Sequence, residues 1–549
     1  MKDVKKTIKK YQITKIIIFM VVLAVGAYIV YDRLFVEEDY QQAISHTKVE
    51  KVNKDEVIIS MLPPKTFSPI TSNSADVQYI GRLIYSRLFK FDDNMTPKED
   101  LVQEYKFRGR DIDITLKSAQ WHKGGNVTAE DIIFTVDEIK KYGKKGPYFN
   151  KVDKIDHVSG SGQHLTVSFK DDKDISFAYL SFPIVSKETY KEEFSNDNKV
   201  IPQGSGMYSV KKYDKGKEIQ CVAHSGFYGS KPKSSLVIKM QKKTSEFATL
   251  VETSNISVYF TDNVKTETEI TKENMKIVTF PGNSLEFIGF NFKNSIMKNG
   301  YLRKALVHAM DMEDIRQDYY YDSLIKSDSL FIPGYLDVEK VSGYDEDIEK
   351  SIKYLNKAGI KDYDGDGYRE ISKGENISLR ILVNKDKKER LYTAEGLVDA
   401  FDDIGIHAQV IESNQAEYTE KLEKGQFDLF IGGMTVDETM DFRPLLKTDG
   451  TLNYTGFSNE KLDEKLDLFM GGNTNEVNEA IVSDIKKIIH DKIPYYCIGY
   501  HKFDVIKAPA LEGEITPNFV NPYEGIETWS CIYDKVQVDD TEKTKKDKE

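Results

Sequence analysis

Between residues 379 and 431 two side-chain periodicities alternate, and few folds satisfy both. Leu379, Ile381 and Val383 alternate as a half-buried strand does. Leu391, Ala394, Leu397, Phe401 and Ile404 then recur at helical spacing, and Gly405 follows where a left-handed cap belongs. Ile406, Ala408 and Val410 form a second strand, and a short helix around Tyr418 to Leu422 leads to the apolar run Phe427 to Ile431. Strand–helix–strand–helix–strand at these lengths predicts a parallel sheet with right-handed crossovers. Sites in such sheets lie beyond the carboxyl ends of the strands. Residues Gly432 to Pro444 therefore belong at the mouth of a site.

The rest of the chain has the same mixed α/β character. Ile112, Ile114 and Leu116 alternate, as do Leu165, Val167 and Phe169. Thr128 is placed to cap a helix whose positive end Glu130 and Asp131 favour. Gly204-Ser205-Gly206 marks a sharp loop before a strand-like segment, Met207 to Tyr213. Ile348, Ile352 and Leu355 share a helical face that ends at Gly359, and Val477, Ile481, Ile485 and Ile488 mark a longer helix before Pro494. With 549 residues, 40% apolar, the chain is long enough for two or three packed domains.

A formal net charge of −12 argues against a nucleic-acid partner. The N-terminus has the opposite sign. Lys2, Lys5, Lys6, Lys9, Lys10 and Lys15 precede an apolar run from Ile16 to Tyr31, with Arg33 and then Glu37, Glu38 and Asp39 behind it. This asymmetry keeps the N-terminus in the cytoplasm and exports the remainder. We expect a cytoplasmic stub (1–14), a transmembrane anchor (15–35) and a polar spacer (36–56). The main domain is then extracytoplasmic on a single-pass membrane protein. Cleavage near Val25-Gly26-Ala27 is the rival reading. No cysteine follows the run to carry a lipid. Cys221, Cys497 and Cys531 are compatible with one disulfide or with three thiols.

Several segments, in order, resemble the peptide- and nickel-binding family of solute-binding proteins that serve ABC transporters. Pro64-Lys65-Thr66-Phe67-Ser68-Pro69 is similar to its opening segment, and Leu83 to Leu88 to its first helix. Trp121-His122-Lys123-Gly124 followed by Thr128-Ala129-Glu130-Asp131 resembles its Trp-x-Asp-Gly and Thr-Ala-Glu-Asp pair, with Lys123 replacing the aspartate. Gly204 to Tyr208, Gly289-Phe290-Asn291, Leu302 to Leu306, Asp362 to Gly367, Phe427-Asp428-Leu429 and Gly456 to Asn459 continue the order. The resemblance spans roughly 57–505. It implies a two-lobed periplasmic-binding-protein-like α/β fold with an extra subdomain in lobe one, here preceded by the transmembrane helix. Residues 57–282 would form lobe one, with the extra subdomain at about 71–203. Residues 283–500 would form lobe two, 501–535 would return to lobe one, and 536–549 would be a disordered tail.

The family resemblance also implies a ligand held between closing lobes, an oligopeptide or another small molecule, delivered to ABC permease subunits. A peptide's ammonium needs a carboxylate when buried. By resemblance Asp441 takes that role, with Asp437 as the alternative. Arg443 is either a receiver of a ligand carboxylate or a surface arginine. Met434 stands where many members have tryptophan, which leaves an aromatic lid in question.

Nine scattered histidines form no metal constellation, so neither a metal nor a cofactor is expected at the site. The Asp362 turn carries carboxylates at calcium-loop positions one, three and five, with Gly367 at six. Glu370 falls at nine and Lys373 at twelve, so a metal-free turn is the default. Metalloprotease, nucleophile-elbow and phosphate-loop motifs are missing, and no enzyme is expected. The alternative to transport is a tethered ligand sensor or interaction module that kept the fold.

Overall fold

The structure is a computed structural model that describes residues 47–54, 56–190, 203–241, 250–251, 256–261, 275–341 and 343–538. The expected stub and anchor lie outside these residues, as does the end of the expected tail. Among the described residues no helix is long and apolar enough to cross a membrane.

In chain order, strand β1 (Glu56–Met61) is followed by an inserted sheet of β2 (Val102–Arg108), β3 (Asp111–Leu116), β4 (Ile155–Ser161) and β5 (His164–Phe169). Then come β6 (Tyr208–Asp214), β7 (Glu218–Ala223) and β8 (Ser235–Met240). Strand β1 heads the first sheet, in order β1-β8-β7-β6, and pairs with β8 in parallel. The inserted sheet has the order β2-β3-β5-β4 and is antiparallel throughout. Its alternation is visible in β3, where Ile112, Ile114 and Leu116 are buried between half-buried neighbours.

Helix α1 (Ala75–Ile84) ends against the glycine turn. A Cβ on Gly204 would lie 1.9 Å from the Ile84 carbonyl oxygen, so no larger residue fits there. Helix α2 (Ala129–Tyr142) starts as expected at Thr128, whose N–H donates to the Asp131 carboxylate at 3.0 Å. Asp131 also accepts the Lys187 N–H at 2.9 Å, and it is buried.

A mixed sheet runs through the second lobe and on into the first. Its strands are β9 (Val258–Thr261), β10 (Lys276–Phe290), β11 (Ser378–Asn384), β12 (His407–Ser413), β13 (Leu429–Thr435) and β14 (Tyr495–Lys507), in order β9-β14-β10-β13-β11-β12. The expected parallel unit is present, because β11 pairs in parallel with both β12 and β13. The antiparallel half, β10 with β13 and β14, has no counterpart in the local periodicity. Helices α3 (Ile348–Ala358), α4 (Lys388–Asp402) and α5 (Gln415–Lys424) cover it, and α6 (Asn475–Lys492) precedes β14. Gly359 and Gly425 take the left-handed conformation as caps of α3 and α5.

Asp428 explains the Phe427-Asp428-Leu429 pattern. Its buried carboxylate accepts the Arg380 backbone N–H at 2.8 Å and both Nε and Nη2 of the same arginine at 3.0 and 3.1 Å, which fixes β13 against β11.

Strands β10 and β14 belong to both lobes. Ile506 of β14 packs with Ile58 and Val237 in one core, whereas Ile498 of the same strand and Ile288 of β10 pack with Leu306, Leu379 and Phe401 in the other. Between the cores the β10–β14 register breaks, first at Pro281 to Leu285 and again at Glu286 to Phe287. Strand Thr47–Lys54, within the expected spacer, belongs to a unit distinct from the one that holds the sheets above. No disulfide joins Cys221, Cys497 and Cys531.

Candidate functional site

Strand β13 outruns one of its neighbours. On one edge it pairs with β10 along its whole length, from Leu429 opposite Phe290 to Thr435 opposite Ser284. On the other it pairs with β11 only at Leu429 and Phe430. Beyond Phe430 that edge has no strand partner among the described residues. Gly433 and Met434 are half-buried there and Thr435 is exposed. An open edge at the carboxyl end of a strand offers main-chain donors and acceptors to an incoming extended chain.

A buried charge cluster lies against this edge. Glu286 of β10 accepts Nε and Nη2 of Arg390, from α4, at 2.7 and 2.8 Å. His501 of β14 approaches the same carboxylate at 3.4 Å, and the Tyr320 hydroxyl donates to it at 3.4 Å. Burial by itself raises the Glu286 pKa, but the bonds from His501 and Arg390 outweigh it and hold the carboxyl below its ordinary range. Gly433 is what lets the arginine lie so close. A Cβ there would stand 2.4 Å from Arg390 Nη2 and 2.6 Å from the Leu285 carbonyl oxygen.

After β13 the chain turns through residues 436–442, and three carboxylates there have three different fates. Asp437 is exposed, and its carboxylate accepts the Thr439 N–H at 2.9 Å and the Thr439 hydroxyl. It has no ion-pair partner among the described residues. Glu438 receives Lys151 at 2.9 Å and Arg82 at 3.6 Å, both from the first lobe. Burial raises its pKa, and these two cations more than reverse that. Asp441 is occupied: Arg443 donates to it from Nε at 2.9 Å and from Nη2 at 2.7 Å.

The same arginine reaches the first lobe, with Nη1 on the Lys173 carbonyl oxygen at 2.6 Å and Nη2 on Asp174. Tyr179 lies close by. Burial, then Asp174, Asp441 and Asp437, push its hydroxyl well above the ordinary range.

These placements show the surroundings of two sequence candidates. Asp441, the first candidate for a ligand ammonium, already has its charge compensated by Arg443. Arg443 is half-buried, and its Nε, Nη1 and Nη2 donate to Asp441, the Lys173 carbonyl oxygen and Asp174. The structure brings Met434 and Asp437 to the same strand end, Met434 opposite Leu285 on β10. Glu286, Arg390, His501, Glu438, Lys151 and Asp174 carry no local motif. Glu286 and Arg390 are 104 residues apart, so only tertiary packing unites them.

Residues 98–453 match the pattern of the bacterial extracellular solute-binding proteins, family 5 (middle region). The chain belongs to this family. A relative, the oligopeptide-binding protein AppA of Bacillus subtilis, is 24% identical over 84% of this chain and 88% of its own length. Among solved structures, the periplasmic murein-tripeptide-binding protein MppA in its unliganded open form superposes with a TM-score of 0.74 at 16% identity. That likeness covers 89% of this chain and 99% of MppA. HbpA2 of Haemophilus parasuis gives 0.71 at 16% identity, over 87% and 100%.

The fold is thus the two-lobed, periplasmic-binding-protein-like one, and this family 5 protein binds a solute outside the cytoplasm.

Proposed function

We propose that this family 5 protein captures an extended oligopeptide along the free edge of β13 and delivers it to the permease subunits of an ABC transporter. The observation that carries the reading is the edge from Gly433 to Thr435, which has no strand partner among the described residues and lies beside a strand that spans both cores. Main-chain pairing there is tolerant of side chains, as a receptor for varied peptides requires. The oligopeptide- and murein-tripeptide-binding names of its relatives point the same way.

Asp437 receives the peptide ammonium in this reading, since it is the carboxylate of the loop without a cation. Met434 lines the same end, and Asp441 with Arg443 frames it. The lobes divide near 282–283 and 500–501, where the β10–β14 register breaks, and they move about that break. The N-terminal run 15–35 anchors the protein in the membrane, and fractionation of cells should find the full chain there.

Native mass spectrometry of the purified full-length chain tests the central claim. Adducts that dissociate into short peptides are expected. Recovery of a metal complex or porphyrin in their place overturns the peptide assignment.

A further inference from the structure

Glu370 is buried, 1% exposed, yet its Oε1 has no hydrogen-bond partner. Its other oxygen accepts the Tyr363 N–H at 2.6 Å. One oxygen each from Asp362, Asp364 and Glu370 lie within 4.8 Å of one another. Three carboxylates at that spacing repel, and among the described residues no lysine, arginine or histidine forms an ion pair with any of them. Arg369, next in sequence to Glu370, is turned elsewhere, with Nε on the Ile404 carbonyl oxygen at 3.0 Å. Leaving a buried carboxylate oxygen without a partner is costly unless a cation compensates it.

We propose that Asp362, Asp364 and Glu370 bind a divalent cation, Ca2+, in lobe two. The donors are all hard oxygens, which suits Ca2+ and excludes a preference for softer metals. The loop is already folded around such a centre. Asp362 accepts the Gly365 and Gly367 N–H groups at 2.6 and 3.1 Å, Asp364 accepts that of Asp366 at 3.2 Å, and Asp366 that of Tyr368 at 2.8 Å. Gly367, at position six, has φ +96°, which the sharp turn needs.

The acid that closes a twelve-residue calcium loop is displaced here to position nine. Glu370 is held there by paired backbone bonds with Lys361, at 2.8 and 3.2 Å. The turn joins α3 to the hairpin at 370–376, and the Arg369 N–H binds the Gly405 carbonyl oxygen at 2.8 Å, so the cation braces the α3–α4 side of lobe two.

The purified full-length chain, stripped with EGTA and desalted, should be titrated with CaCl2 by calorimetry and by thermal melting. Terbium luminescence sensitised by Tyr363 and Tyr368 gives an independent readout. One saturable site and a rise in melting temperature are expected. Asp364→Asn, at an exposed position that tolerates change, should weaken Ca2+ binding by about tenfold or more, with Glu370→Gln at least as severe. If Glu370→Gln does not fold, Asp364→Asn still decides. No saturable response up to about 10 mM CaCl2, above the range of extracellular calcium modules, overturns the proposal. So does wild-type affinity in Asp364→Asn. An equal affinity for MgCl2 overturns the assignment to Ca2+.

Discussion

Arg443 of lobe two donates to Asp174 of lobe one while Asp441, two residues before it, grips the same guanidinium from its own side. The arginine is 16% exposed and each carboxylate 20%, so water screens the trio only in part. Around it the lobes touch again, with the Ile175 N–H on the Met470 carbonyl oxygen at 2.7 Å and Lys173 near Asp467 at 3.4 Å. Burial lowers the Arg443 pKa, but its bonds to Asp441 and Asp174 dominate and raise it above the ordinary value.

Removing the cation should therefore hurt more than removing one anion. Arg443→Ala leaves Asp441 and Asp174 without their shared partner and is expected to cost about 3–5 kcal/mol. Asp174→Asn keeps the Asp441–Arg443 pair and should cost about 1–2 kcal/mol. Chemical denaturation of the two variants measures both; equal losses would show that the bridge to lobe one, not the pairing, holds the stability.

Acid should loosen the same contact surface. At Glu438, burial raises the pKa while Lys151 and Arg82 lower it further; at Asp174, burial is outweighed by Lys154 and Arg443. Both folded pKa values are depressed. The stability they contribute is present above the ordinary carboxylate pKa of about 4 and is lost as pH falls through the depressed folded values. Melting temperature should hold between about pH 7 and 5 and fall steeply below about pH 4. Glu438→Gln should flatten part of that fall; an unchanged slope would remove Glu438 from the account.

The ammonium assignment distinguishes two neighbouring carboxylates. Asp437→Asn should weaken binding of a free peptide by about two decades. It should weaken binding of the N-acetylated peptide far less. Asp441→Asn should affect both peptides equally, because its partner is Arg443. Calorimetry on the four protein–peptide combinations and wild type decides. A larger acetylation effect lost in Asp441→Asn would return the role to Asp441.

Gly433→Ala tests the strand edge without altering charge. The new methyl would meet Arg390 Nη2, the Leu285 carbonyl oxygen and Glu286 Oε1, all within 2.8 Å. Displacing the Glu286–Arg390 pair should cost about 1–3 kcal/mol of stability and weaken ligand binding by a larger factor than a change at the exposed Thr435. Equal binding by Gly433→Ala and wild type would place the ligand away from this edge.

Local pattern in the sequence was enough to locate β11, β12, β13 and the helices between them, because burial on one face imposes a period of two on a strand and 3.6 on a helix. Gly359 is legible for a similar reason: a left-handed cap admits few other residues. The same logic singled out Gly432 to Pro444, which are the last residues of β13 and the segment after it. It did not indicate that β10 and β14 run antiparallel through both cores, since pairing between residues as far apart as Lys276 and Lys507 leaves no periodic trace. Nor did it separate Asp437 from Asp441. Both are loop carboxylates in sequence, and their difference lies in Arg443, which bends back to one and reaches across to Asp174. Side-chain period and motif order are read along the chain, and they were enough for β11 to β13 and for the family. Which charges are already paired depends on distance in space, and no local pattern records it.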